Sequence, residues 1–247
     1  VQNTFLKKLI PIFVLSLFVS ASELLSQPVD YPSVFGRDWE KASAYLSENR
    51  HWIDSMFIRY RIDPCTGIAI IFPELVRYSA LRDKMEITLL KALYVSNGTD
   101  YANFSIGRFQ VKPSFAEDVS DAVSGPGYMR LRRYIPQATS FSAPHQYRSE
   151  IVKSLEDPKR ELAYIIAFIK ICTQKYSIIE KDNILRVLIL SASYNCGLKA
   201  STEEVLECAS KKFYSTRLLK GAGETYSYSD ISVWWYRNNC SSDYFEN

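Results

Sequence analysis

The stretch "PCTGIAIIFPELVRYSAL", residues 64–81, constrains the chain most. It is apolar on nearly every side of a helical projection. A helix built from it has no face to give to water and must sit inside a shell of other elements. Asp63 and Pro64 mark its start. An aspartate accepts from the free N–H groups of a first turn, and a proline there gives up an N–H that had no partner. Inside the run stand Pro73 and, directly after it, Glu74, flanked by Ile70, Ile71, Phe72 and Val76. An interior proline removes a backbone hydrogen bond, which predicts a kink immediately before Glu74. A carboxylate among such neighbours needs a partner or a raised pKa. Two readings stay open: a salt bridge to Arg77, one turn on, or a carboxylic acid held protonated near neutral pH, as a general acid requires.

Helical periods dominate the remaining chain, and strand signals are short. Residues 38–60 carry Trp39, Ala42, Tyr45 and Leu46 on one face, continued by Trp52, Met56 and Tyr60. Further helices are expected over 83–95, from Pro113 to Val123, after a second Asp-Pro start at Asp157-Pro158, over 183–193 and over 201–220. A last one lies in "YSDISVWWYRNN", capped by Ser229 or Asp230. Gly197 in "SYNCG" suits the residue past a helix end. "DYANFSIGRFQV" reads as loop with room for short strands, and residues 124–149 as an elaborated loop. The fold class is mainly α with very little strand.

Residues 1–21 read as a signal peptide. Lys7 and Lys8 precede the apolar run Leu9–Ser20, and Val19-Ser20-Ala21 has the small-residue spacing of a cleavage site. The run is shorter than the roughly 20 residues that span a bilayer, so no stable membrane span is expected after cleavage. Residues 22–36, broken by Pro28 and Pro32, read as a linker, and 37–247 as one domain with an insertion around 120–150. Loss of residues 1–21 removes two lysines and no acid, taking the net charge from +3 to +1. So neutral a chain offers no electrostatic case for nucleic acid. Its two histidines, His51 and His145, stand in no metal-ligand spacing, and neither a metal nor a cofactor is expected. The five cysteines contain no C-x-x-C. Export permits disulfides, and a Cys208–Cys240 pair and buried free thiols both stay open.

Five short motifs, in one order, resemble the soluble lytic transglycosylase family and, more widely, the goose-type lysozyme-like superfamily. "WIDSMFIRYRIDPCTGIAIIFPE" is similar to that family's amphipathic helix, Asp-Pro cap and apolar helix ending in the catalytic Glu. "SIGRFQVKPSFA" resembles its "S-x-G-L-M-Q-x-x-P-x-T-A", with Ser105, Gly107, Gln110, Pro113 and Ala116 in register. "DPKRELAYIIAFIKI" looks like its Asp-Pro helix, and "SASYNCG" its "A-A-Y-N-A-G", matching Tyr194, Asn195 and Gly197. "GETYSY" resembles "E-T-x-x-Y", matching Glu224, Thr225 and Tyr228.

The resemblance implies a lysozyme-like fold forming a single catalytic domain. It implies an exported, periplasmic or envelope-associated enzyme acting on peptidoglycan glycan strands, with an envelope-machinery protein as a further partner. The bond cleaved is the β-1,4 link between N-acetylmuramic acid and N-acetylglucosamine. Glu74 would serve as the single general acid and base, giving a 1,6-anhydromuramyl product. Ser105, Gly107, Phe109, Gln110, Tyr194 and Asn195 would bind substrate: Gly107 by letting backbone approach the sugar, Phe109 as an apolar wall, Tyr194 by bringing a hydroxyl close to Glu74. The family's Ser after the catalytic Glu is Leu75 here, and Arg108-Phe109 replaces Leu-Met. These departures leave two alternatives, a hydrolysing lysozyme and a wall-binding scaffold of weak or no turnover. Asp83, Glu86 and Asp100 lie between the motifs, where a second carboxylate would favour hydrolysis.

Overall fold

The apolar helix sits where its composition requires, in a shell of other helices. The computed structural model describes residues 29–80, 84–177, 182–215 and 225–240. The expected signal peptide, residues 22–28 of the linker, Asp83 and Glu224 lie outside the described residues. The helices in chain order are α1 (Tyr31–Phe35), α2 (Arg37–Arg59), α3 (Pro64–Ala80), α4 (Lys84–Asn97), α5 (Pro113–Ala122), α6 (Met129–Arg132), α7 (Pro144–Glu156), α8 (Pro158–Lys175), α9 (Asn183–Cys196), α10 (Thr202–Ser210) and α11 (Tyr228–Asn239). Strands β1 (Lys212–Tyr214) and β2 (Tyr226–Ser227) form one antiparallel pair. The protein is mainly α. Two units are distinguishable along the chain, one ending at Val34 and one from Phe35 onward. In the first, Val34 N–H donates to Asp30 O at 3.0 Å within the opening turn of α1, so the linker reading gives way to a short helix there.

In the second unit, α3 contacts α2, α9 and α11. Ile68, Ala69, Ile70, Ile71, Phe72 and Val76 are all fully buried. Asp63 starts the helix as expected, accepting from Thr66 N–H at 2.8 Å and from the Thr66 hydroxyl at 2.7 Å. A side chain at Gly67 would meet the Phe57 ring at 2.5 Å, so the glycine sets how closely α2 approaches α3. The helix continues without a break through Pro73. Around it, two buried tyrosine hydroxyls donate to helix carbonyls, Tyr228 to Ile70 O at 2.8 Å and Tyr214 to Pro73 O at 2.5 Å.

Helix α8 is the second buried rod, packed on α5, α7 and α9. Asp157 caps it, accepting from Lys159 and Arg160 N–H groups at 2.8 and 3.2 Å. The helix expected over 183–193 starts on Asp182 and runs to Cys196. The expected helix over 201–220 ends at Ser210, because Lys212–Tyr214 turns extended, pairs with β2 and buries Tyr214 in the core. The final helix is capped by Ser227 rather than Ser229 or Asp230, its hydroxyl accepting from Asp230 N–H at 3.1 Å. The irregular region is shorter than expected: residues 144–149 already belong to α7. Arg148 of α7 donates to the last carbonyls of α4, Val95 O at 2.9 Å and Ser96 O at 2.8 Å.

The disulfide joins Cys65 to Cys240, not Cys208 to Cys240, and so ties the first turn of α3 to the residue after α11. Its sequence separation of 175 residues takes in every element from α3 to α11. Closing so long a loop removes much of the unfolded chain's freedom. The double variant Cys65→Ser/Cys240→Ser is expected to lose about 5 kcal/mol of unfolding free energy. Guanidinium unfolding of the unreduced proteins measures it, and an unchanged midpoint would contradict the assignment.

Candidate active site

A groove of about 280 Å³ opens beside the middle of α3. Glu74 and Arg77 come from α3, Ser105, Gln110 and Lys112 from the segment before α5, Asp118 from α5, and Tyr194 and Asn195 from the end of α9. Three segments far apart in sequence thus converge on one carboxylate.

The turn that carries Gln110 hangs on a second buried carboxylate. Ile106 and Val111 form an isolated antiparallel bridge, Ile106 N–H donating to Val111 O at 2.9 Å. Two of the intervening N–H groups point inward. Arg108 N–H donates to Glu161 Oε2 at 2.8 Å, and Phe109 N–H to Oε1 at 2.9 Å. Val111 N–H adds a longer bond to Oε1, 3.4 Å. Glu161, on α8, is wholly buried. Burial pushes its pKa well above the usual carboxylate range, and the three N–H donors oppose that. Gly107 has φ +78°, and a Cβ there would fall 2.1 Å from Leu155 O and 2.4 Å from Glu161 Oε2. Only glycine lets the turn seat on the carboxylate. On the other side, Tyr194 OH donates to Phe109 O at 3.1 Å, which ties the turn to α9.

Glu74 is 4% exposed, and Arg77 Nη1 reaches both its oxygens, at 2.9 and 3.2 Å. The expected salt bridge to Arg77 is therefore present. Burial raises its pKa, while Arg77, Lys112 and the Arg77 hydrogen bond lower it. Burial dominates, and the carboxyl stays above its ordinary value of 4.5. Arg77 is itself positioned over the Tyr214 ring, 4.7 Å from the centroid. The result is a carboxyl in a dry setting, open to a groove and next to a fixed cation. Such a group can hold a proton at higher pH than a free glutamate and deliver it to an oxygen placed before it.

Of the residues expected to bind substrate, Ser105, Gln110, Tyr194 and Asn195 line the groove with Glu74. Gly107 and Phe109 are not among the lining residues. Gly107 faces Glu161 and Leu155 rather than the groove, and Phe109 is fully buried, where its backbone joins Glu161 to Tyr194. The Tyr194 hydroxyl is spent on Phe109 O, and it is the residue as a whole that lines the groove. Gln110 has φ +58°, uncommon outside glycine, and its Nε2 donates to Gly107 O at 2.8 Å. That bond leaves the Oε1 side of the amide for a ligand. Asp100 is exposed and does not line the groove; the second carboxylate that does is Asp118, paired with Lys199 at 2.6 Å. Among the described residues no three His, Cys, Asp or Glu side chains gather as metal ligands would.

Sequence reading missed Glu161, Lys112, Asp118 and Lys199. For Glu161 a signal existed. It shares an α8 stripe with Ile165, Phe168 and Cys172, all buried, and a charge on an apolar stripe asks for donors.

Replacing Arg77 with Met removes the cation that favours the charged form of Glu74. The Glu74 carboxyl is then expected to titrate at higher pH than in the parent, read by carboxyl ¹³C NMR; a shift downward would contradict the balance of effects described. In Glu161→Gln the amide nitrogen must face either the Arg108 N–H or the Phe109 N–H. A loss of about 1–3 kcal/mol in unfolding free energy is expected, and an unchanged denaturation midpoint would count against the anchor.

No protein-family profile, no curated protein and no solved structure matches the chain.

Proposed function

We propose that the protein is an exported, periplasmic or envelope-associated peptidoglycan lytic transglycosylase with a lysozyme-like fold. The observation that carries this reading is a buried carboxyl of raised pKa, Glu74, opening onto a groove shared with Ser105, Gln110, Tyr194 and Asn195. These are residues that the motif resemblance assigns to one site, and they come from distant parts of the chain.

In this reading a glycan strand lies in the groove with a muramic acid–glucosamine link at Glu74. The neutral carboxyl protonates the leaving oxygen as the C1–O bond breaks. The muramic 2-acetamido group stabilises the electron-poor C1, so no second protein carboxylate is needed. Glu74, now charged beside Arg77, takes the proton of the C6 hydroxyl as that oxygen closes on C1. The 1,6-anhydro ring forms and Glu74 is neutral again. Arg77 serves the charged half of the cycle and burial the neutral half, which fits a group that must hold both states in turn.

A hydrolysing lysozyme is the second reading, favoured by Asp118, a further carboxylate on the groove wall. An acid placed to activate water would give a reducing end in place of the anhydro ring. Digestion of purified cell-wall sacculi separates the readings. The wild type is expected to release muropeptides lighter by one water than hydrolysis products, by mass spectrometry. Glu74→Gln is expected to bind sacculi and lose at least about 100-fold in release rate. Hydrated ends would assign the hydrolase, and equal release by both proteins would overturn the role of Glu74.

A further inference from the structure

Two thiols that the proposed chemistry does not use meet at the groove. Cys196 is the last residue of α9, directly after Tyr194 and Asn195, and it lines the groove. Cys208 stands on α10 and is buried. The start of α10 is fixed by a reciprocal cap: Ser201 Oγ accepts from Glu204 N–H at 3.2 Å, and Glu204 Oε2 accepts from Ser201 N–H at 2.7 Å. This holds Glu204 and, one turn on, Cys208 against the end of α9. Cys196 Sγ donates to Glu204 O at 3.5 Å, and Asn195 Nδ2 lies 4.0 Å from Cys208 Sγ. Each thiol thus has a contact across the α9–α10 junction, Cys196 with Glu204 and Cys208 with Asn195. Residues 197–201 carry the chain between the helices, a short connection that keeps the end of α9 beside α10.

We propose that Cys196 and Cys208 form an oxidisable dithiol that closes into a second disulfide at the rim of the groove. The oxidant is a disulfide of the thiol–disulfide exchange class. One cysteine, as thiolate, attacks a sulfur of that disulfide and releases the first thiol. The second cysteine then attacks the mixed disulfide and releases the other. The protein loses two electrons and two protons, and the oxidant becomes two thiols. The Cys65–Cys240 bridge shows that this chain forms disulfides, and the same surroundings act on the half-buried Cys196. Burial pushes the Cys196 thiol up to about 12, with Cys208 adding to the rise and Lys211 opposing it. The Cys196 thiolate is therefore scarce at neutral pH, and its share in closure grows as pH rises. Once closed, the bridge takes the thiol away from the Asn195 amide and fixes the last turn of α9, the segment that supplies Tyr194 and Asn195 to the groove.

The test uses the full chain and needs no substrate. The protein is incubated with oxidised glutathione at about pH 8, alkylated under denaturing, non-reducing conditions and cut with trypsin. The expected product joins peptide 187–199 to peptide 200–211, two hydrogens lighter than their sum, with alkylation left on Cys172 alone. A rise of roughly 5 °C in Tm over the dithiol form should accompany it. Cys196→Ser should abolish that linked product while keeping Cys65–Cys240. Complete alkylation of Cys196 and Cys208, glutathione left on either as the end product, or a link from either to another cysteine would overturn the proposal.

Discussion

The side wall of the groove depends on a single buried carboxylate, Glu161. A carboxyl is expensive to bury in a helix core, and here both its oxygens are met by backbone N–H groups from Arg108, Phe109 and Val111. In return those groups, which an isolated turn would leave to water, find acceptors inside the protein. The exchange pins residues 106–111 to α8, and Tyr194 pins the same turn to α9 through Phe109 O. Gln110 projects from a turn held at both ends. Its positive φ is a conformation that such support makes tolerable.

Helix α3 solves the matching problem for Glu74. A rod so largely buried offers a carboxylate little water, yet Glu74 sits where the shell opens onto the groove. Arg77, one turn along, compensates its charge and is itself steered by Tyr214. Tyr214 and Tyr228 also donate to the carbonyls around Pro73, so the proline that weakens the helix lies where tyrosines support it. Burial and ion pairing act on Glu74 in opposite directions, and their balance sets its acidity.

Much of this could be read from local chemistry. The two Asp-Pro starts, the all-apolar α3 and the amphipathic α2 announce themselves because each depends on neighbours within a few residues. The convergence of Glu74, Ser105, Gln110, Tyr194 and Asn195 was legible only as an order of motifs, since periodicity does not say which helix ends meet. Tertiary choices were opaque. Nothing in Cys65 or Cys240 alone distinguishes them from the other thiols, and their partnership follows from where α3 begins and α11 stops. Lys212–Tyr214 leaves the helical pattern because Tyr214 has a buried place against α3, which no local preference encodes. Gly107 and Phe109 were drawn toward the groove by their motif, whereas their chemistry serves the wall's foundations.

The ion pair between Lys199 and Asp118 joins two of the groove's lining residues, and Lys199 is largely exposed. Contacts of this kind are readily exchanged for water and weaken as salt rises. The buried anchors at Glu161 and Tyr194 do not yield in that way. The groove thus has one margin set firmly by the interior and another latched only by a surface clasp. Anything that enters from the clasped side can displace it without disturbing the fold, so the working width of the cleft there belongs to the occupant and the ionic medium together.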